Sequence, residues 1–400
     1  MRLHALRRAL RRAAVVDALK CALWSVYLTM CSALVGAIAR AREREGEEAA
    51  RRRRARWAGR IRRTRAREAL APRASAREAP THLVACLHGL AGTPEDLRAM
   101  ARRMEAHPGV LARRVECNAP LNSFDGVEEG ARRVVEELRA VVKANPSLRY
   151  LTLYGNSLGG IYARYAAALM WAESRDGTML GLRPCTFLTT ATPHLGVGCY
   201  GFFRLVPRAA QDLWARKLGR SIMELCMRDD EDGQRPLLAR MADPSVRDPL
   251  DFVGALGAFE RRCAYANATN DFLVSYETAS ISPELLDAAV EREWRSMEAP
   301  QIVEEFVVEG VPMEHSPVTE KRGDELDVRR RMARGLRTLT WKHVNVAFPG
   351  GVPLAHNKIC ALQRSEFLEK LFKEGEFIVD HQAEYLLEPI RRRYKENGSG

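Results

Sequence analysis

From Thr81 onward, apolar runs alternate with amphipathic stretches. The apolar run His82–His88 predicts a strand that ends in His88-Gly89-Leu90-Ala91-Gly92. A helix is expected over Pro94–His107, with Thr93 as its N-cap and proline at the first helical position. Val115–Asn118 reads as a short strand. The clearest helix covers Asp125–Ala144, where Val127, Ala131, Val134, Val135, Leu138, Val141 and Val142 recur at helical spacing until Asn145-Pro146 stops it. Arg149–Tyr154, Thr186–Thr190, Cys263–Ala268 and Trp341–Phe348 read as further strands. Strands separated by helices predict an α/β fold: a mostly parallel sheet with helices on both faces.

The strand at Arg149–Tyr154 runs into Gly155-Asn156-Ser157-Leu158-Gly159, and a helix-compatible, small-residue stretch follows. This is the pattern G-x-S-x-G between strand and helix, a sharp turn that projects a serine hydroxyl clear of both elements. The glycines leave room for the turn, and the helix start offers free backbone N–H groups where negative charge would develop. In a parallel sheet, sites form outside the carboxyl ends of the strands. Those ends carry His88-Gly89-Leu90, Ser157, Thr192-Pro193-His194-Leu195-Gly196, Asn270-Asp271, and Pro349-Gly350-Gly351 leading to His356.

Charge divides the chain into two parts. Residues 1–80 hold 21 Lys/Arg against 7 Asp/Glu, whereas residues 81–400 hold 42 against 44. The excess of +12 over the whole chain therefore belongs to an N-terminal apolar and basic arm, and nothing in the remainder suggests a nucleic-acid partner. Within the arm, Cys21–Ala39 has no charged residue over 19 positions. As a helix it would be about 28 Å long, just enough to cross a hydrocarbon layer. The arm (1–80) is expected to be a membrane anchor or a targeting segment followed by an Arg-rich linker; an organellar transit peptide for a mitochondrion or plastid is the alternative. Both flanks are positive, so orientation is not legible. The nine cysteines form no C-x-x-C pair and several lie in apolar runs, which predicts buried reduced thiols and a catalytic domain facing a reducing compartment. The sequon at Asn267 falls in a predicted buried strand, and a second lies at Asn397.

HGLAG, YGNSLGGIYARY, TTATPHLG, YANATNDFLVSYETAS and AHNKI, in that order, resemble the lipase-like serine esterase family of the α/β-hydrolase superfamily. The match is good over Thr81–Tyr200 and at the two later motifs, with looser material between them. The resemblance implies an α/β-hydrolase fold and a catalytic set of Ser157, Asp271 and His356, in the chain order of that fold. Ser157 would be the nucleophile and His356 the base that takes its proton, while Asp271 would hold the imidazole's tautomer. The N–H groups of Leu90 and Leu158 would form the oxyanion hole, with His88, Gly89, Gly155 and Gly159 in support. Asn156 departs from the histidine that many lipases carry before the serine.

Other residues compete for these roles: His315, His343 and His381 for the base, Asp243 and Asp251 for the acid. His343 lies inside a predicted strand, and only Asp271 directly follows one. His88 and His194 are expected to hydrogen-bond loops rather than react. The expected organisation is a catalytic domain over 81–390, with a candidate lid at 195–258 and a charge-rich insertion at 280–337. The implied activity is hydrolysis of carboxylic esters of lipids through an acyl-enzyme, at a membrane surface and with no cofactor or metal. A membrane-anchored scaffold without turnover and an organellar thioesterase or short-chain esterase are the alternatives. Oligomeric state is not legible.

Overall fold

The computed structural model describes residues 79–198, 200, 219–230, 236–244, 248–284, 286–312, 325–350 and 353–398. The expectations for the N-terminal arm, for His315 and for the aromatic part of the candidate lid lie outside the described residues. All elements below belong to one unit, Leu70–Pro349 with Leu354–Gly400.

Among the described residues, seven strands form one sheet: β1 (His82–Leu87), β2 (Val110–Arg114), β3 (Tyr150–Asn156), β4 (Arg183–Thr190), β5 (Arg261–Asn267), β6 (Gln301–Val308) and β7 (Trp341–Ala347). Their order is β2-β1-β3-β4-β5-β7-β6, with every pair parallel except β6–β7. The inner strands are buried on both faces and read as near-continuous apolar runs. This is the mostly parallel α/β-hydrolase sheet that the sequence predicts.

Helices cover both faces. On one side, α1 (Arg98–Glu105) and the long C-terminal helix pack over Tyr154, Leu188, Tyr265 and Val344, with Met100, Met104, Ile378, Leu386 and Ile390 at the contact. On the other lie α2 (Val127–Ala144), α3 (Leu158–Ala172), α4 (Arg220–Leu225), α5 (Leu237–Ala242) and α6 (Phe252–Gly257). There Phe187 meets the rings of Phe259 and Trp341 edge-on, and all three are nearly fully buried. Burial of such a side chain is worth about 2–3 kcal/mol. After β5 come α7 (Tyr276–Ala279), α8 (Ala288–Arg295), α9 (Glu325–Leu336), α10 (Ala355–Lys358), α11 (Glu366–Leu371) and α12 (Glu376–Gly398).

Two strand assignments need correction. The second strand lies at Val110–Arg114, not at Val115–Asn118. It is an edge strand, half-buried throughout, and its Arg113 and Arg114 reach Glu137 and Glu95 across neighbouring elements. Those charges hide the strand from a hydrophobicity reading. Strand β6 lies within the charge-rich 280–337 segment, where no strand was expected. It is the other edge, largely exposed, and its pattern is broken by Glu304-Glu305 at a bulge. Charged side chains on an edge discourage pairing with further strands. The helix expected over Pro94–His107 begins as a 3-10 turn at Pro94–Leu97 and becomes α-helical only from Arg98.

The six described cysteines, Cys86, Cys117, Cys185, Cys226, Cys263 and Cys360, are free and buried, as the sequence predicts. Burial pushes the Cys86 thiol up to about 12. No helix among the described residues is long and apolar enough to cross a membrane.

Buried neutral histidines give the fold a pH dependence. His343 stacks on Phe306 inside the sheet, both its ring nitrogens lack hydrogen-bond partners, and burial lowers its pKa to about 4. Its folded value lies below the unfolded value of 6.5, so its contribution is complete above that pH and is lost as pH falls toward 4. The loss at about pH 4 is on the order of 3 kcal/mol for this one group. Buried Glu224 is raised to about 7 and acts in the opposite sense, its contribution fading as pH rises through that value. The expected result is that His343→Leu flattens the fall in thermal midpoint between about pH 6.5 and 4. A variant with the parent's full acid sensitivity would exclude His343 as a cause.

Candidate active site

The elbow begins where β3 reaches the carboxyl edge of the sheet. Ser157 has φ 55° and ψ −129°, a conformation rare for a residue with a side chain. Several bonds hold it there. Its N–H donates to Thr190 O (2.9 Å), and its carbonyl accepts from Gly160 N (3.0 Å) and Thr192 Oγ1 (3.0 Å). The turn is so tight that a Cβ at Gly159 would overlap the Leu87 carbonyl, and one at Gly155 the backbone of Gly160. Asn156 Nδ2 donates to Thr190 Oγ1 (2.9 Å), which ties its side chain to the end of β4.

The loop after β1 runs beside the serine. A Cβ on Gly89 would lie 2.8 Å from Ser157 Cβ and 3.2 Å from its Oγ, so only glycine leaves the hydroxyl accessible from that side. Gly89→Ala is therefore expected to slow acylation on the order of 100-fold, as small misplacements at a reacting atom do. The rate of labelling by a fluorophosphonate checks this. Leu158 is the first residue of α3, whose opening N–H groups have no intrahelical acceptors. Leu90 sits half-buried in the β1 loop beside it. The next N–H in that loop, Ala91, donates to Ser123 Oγ (2.8 Å), which fixes the loop from outside.

Asp271 and His356 meet directly. His356 Nδ1 donates to Asp271 Oδ2 at 3.0 Å, and the aspartate side chain is 1% exposed. Asp271 Oδ1 accepts from the backbone N–H groups of Leu273 (3.0 Å) and Val274 (2.9 Å), while Asn267 Nδ2 donates to Oδ2 (2.7 Å). The two loops are stitched together by an antiparallel bridge between Asp271 and Leu354 and by Ala355 N donating to Asn270 O (3.2 Å). Ser157 stands at the same edge of the sheet, at the end of β3, but Oγ makes no hydrogen bond to His356 in this structure. Such bonds are commonly long before substrate binds.

The competing residues are committed elsewhere. His343 lies within β7. His381 shares a hydrogen bond with Tyr265 OH (2.8 Å) and faces Glu305 (3.4 Å). Asp251 caps α6 by accepting from Gly254 N (2.8 Å), and Asp243 lies 4.0 Å from Arg331. His88 Nδ1 donates to Gly89 O (3.0 Å), and burial lowers its pKa. His194 differs from the expectation. It bonds a strand residue, Thr189 Oγ1 (2.9 Å), and not a loop, and burial lowers its pKa well below the usual value.

Residue-by-residue reading of the sequence missed the supporting set. Arg364 makes a two-pronged pair with the buried Asp96 (2.8 and 2.6 Å), and Asp96 also accepts the Thr93 N–H (3.2 Å). This pair fastens the segment after His356 to the loop holding Leu90. On α8, Arg295 donates to Asn270 Oδ1 (2.6 Å), so the charge-rich segment braces the acid loop. In α12, Gln382 accepts from Tyr154 OH (2.9 Å) and donates to Ile359 O (3.1 Å), joining the central strand to the turn after His356. Separations of 23 to 268 residues leave no local signal for the pairs that tie Arg364, Arg295 and Gln382 to the site.

Residues 77–282 match the family model described as "Putative serine esterase (DUF676)". Among curated relatives, the chain is similar to "Putative lipase C4A8.10" of Schizosaccharomyces pombe, 30% identical, covering 37% of this chain and 18% of that protein. It is also similar to "Putative lipase ROG1" of Saccharomyces cerevisiae, 29% identical, covering 34% of this chain and 18% of that protein. The aligned part thus spans under a fifth of the length of these relatives. Among solved structures, it is similar to the mature lipase BlEst2 of Bacillus licheniformis (14% identical, TM-score 0.31, covering 50% of this chain and 70% of that one). The phospholipase PlaB of Legionella pneumophila with thio-NAD covers 75% of this chain and 63% of its own (12% identical, TM-score 0.32). With its family model spanning the elbow and the acid loop, the chain belongs to the serine esterase family that this description names.

Proposed function

We propose that the protein is a serine hydrolase that cleaves carboxylic esters of lipids through an acyl-enzyme. The observation that carries this reading is the buried Asp271–His356 hydrogen bond at the sheet edge where Ser157 is held in a strained elbow. In the proposed reaction His356 Nε2 takes the proton from Ser157 Oγ as Oγ attacks the ester carbonyl carbon. The carbonyl π bond opens to an oxyanion, which accepts from the N–H groups of Leu158 and Leu90. The oxyanion collapses, the alcohol leaves with the proton from His356, and water attacks the acyl-enzyme by the same steps in reverse. Asp271 keeps Nδ1 as the donor, so that Nε2 is free to act as the base.

The lipid part rests on family membership and on the names of the relatives, which read "Putative lipase". Action at a membrane surface rests on the apolar and Arg-rich arm at 1–80, beside a catalytic domain at 81–390. Free buried thiols support a reducing compartment for that domain. The test is incubation of the full chain with a fluorophosphonate and, separately, with phospholipid and acylglycerol esters in vesicles. Labelling with release of fatty acid supports the reading. No labelling of a folded sample would sink it.

A further inference from the structure

We propose that Asn267 is a positioning residue of the catalytic set: its amide holds the Asp271 carboxylate so that Oδ2 faces His356. The proposal rests on the hydrolase reading. Asn267 ends β5 and is 2% exposed. Its Nδ2 donates to Asp271 Oδ2 at 2.7 Å, the oxygen that also accepts His356 Nδ1–H. An ionised carboxylate offers about four acceptor positions. Here all are used, two on each oxygen: Leu273 N and Val274 N on Oδ1, His356 and Asn267 on Oδ2. The backbone pair fixes one oxygen, and the amide fixes the rotation of the other.

The asparagine is poorly explained as packing. Its Oδ1 is buried without a hydrogen-bond partner, a cost that an apolar side chain of similar volume would not carry. The amide cannot be turned round, since that would set its oxygen against the carboxylate. The one bond it makes is therefore the reason for an amide at this place.

The test uses the full chain with a soluble model ester, comparing Asn267→Leu and Asn267→Asp with the parent. Asn267→Leu is expected to lower kcat on the order of 10- to 100-fold with KM little changed, the usual effect of removing an outer hydrogen bond to an active group. Asn267→Asp keeps the shape but removes the donor when ionised. Two carboxyls this close share a proton, and in that form the introduced hydroxyl can donate to Oδ2 as the amide does. The ratio of its kcat/KM to the parent's should therefore rise as pH is lowered from about 8 to about 5. The other titratable or charged groups facing this pair are His356, Cys360 and, through Asn270, Arg295, and these are common to parent and variant.

Parent-like kcat in both variants, or a pH-flat ratio for Asn267→Asp, would overturn the proposal. Should Asn267→Leu fail to melt cooperatively, Asn267→Ser replaces it: its hydroxyl is too short to reach Oδ2 and must show the same kcat loss. Fluorophosphonate labelling of the parent separates the two levels. An unlabelled parent sinks the hydrolase reading, whereas a labelled parent with unaffected variants sinks only the role of Asn267.

Discussion

Ser157→Ala is expected to remove ester turnover by about 10⁴- to 10⁶-fold while leaving the fold intact. The residue is a half-buried turn position whose side chain makes no hydrogen bond in this structure, so nothing that holds the elbow depends on the hydroxyl. The bonds that hold the strained backbone run through the Ser157 N–H and C=O to Thr190, Gly160 and Thr192, and an alanine keeps all of them. The thermal midpoint should move little. Ester hydrolysis and fluorophosphonate labelling are the measurements, and both should vanish together. Turnover that survives the substitution would mean that another group is the nucleophile.

The second large effect is expected for Asp271→Asn. The carboxylate accepts two N–H donors on each oxygen, so an amide offers no good orientation. With its NH₂ toward His356 and Asn267, two donors face a donor; turned over, the same conflict arises with the Leu273 and Val274 N–H groups. The imidazole is then driven to the tautomer with its proton on Nε2, where it cannot act as a base. Loss of the correct tautomer costs about 10⁴-fold in kcat in a comparable triad. A destabilisation of roughly 1–3 kcal/mol should accompany it, from the donors left unpaired. Kinetics with denaturant melts separate the two, since unfolding alone would lower the active fraction without changing kcat per labelled site.

The parts that were legible in the sequence were local ones. Five of the seven strands follow from apolar runs that need no knowledge of their neighbours, and the elbow is five residues whose spacing states its geometry. Both edge strands were misread or missed, because an edge strand exposes half its side chains and tolerates Arg113, Arg114, Glu304 and Glu305. The pairing of Asp271 with His356 was expected from motif order, and the structure supplies the contact. The partners that hold the pair were not legible. Asn267 carried a signal only as a sequon, and its role depends on a turn that brings Asp271 back over the end of β5. Arg295, Arg364 and Gln382 act across the fold, where only three-dimensional proximity selects them.

Helix α12 carries no reacting group, yet it binds the central strand to the turn after His356 through Gln382 and, with α1, packs over one face of the sheet. It is also the last described element of the chain. During synthesis, Ser157, Asp271 and His356 all leave the ribosome before residues 376–398 are available to brace them. Ser157 and Asp271 are therefore made long before the site that would use them is assembled, and His356 is made before the helix that braces its turn.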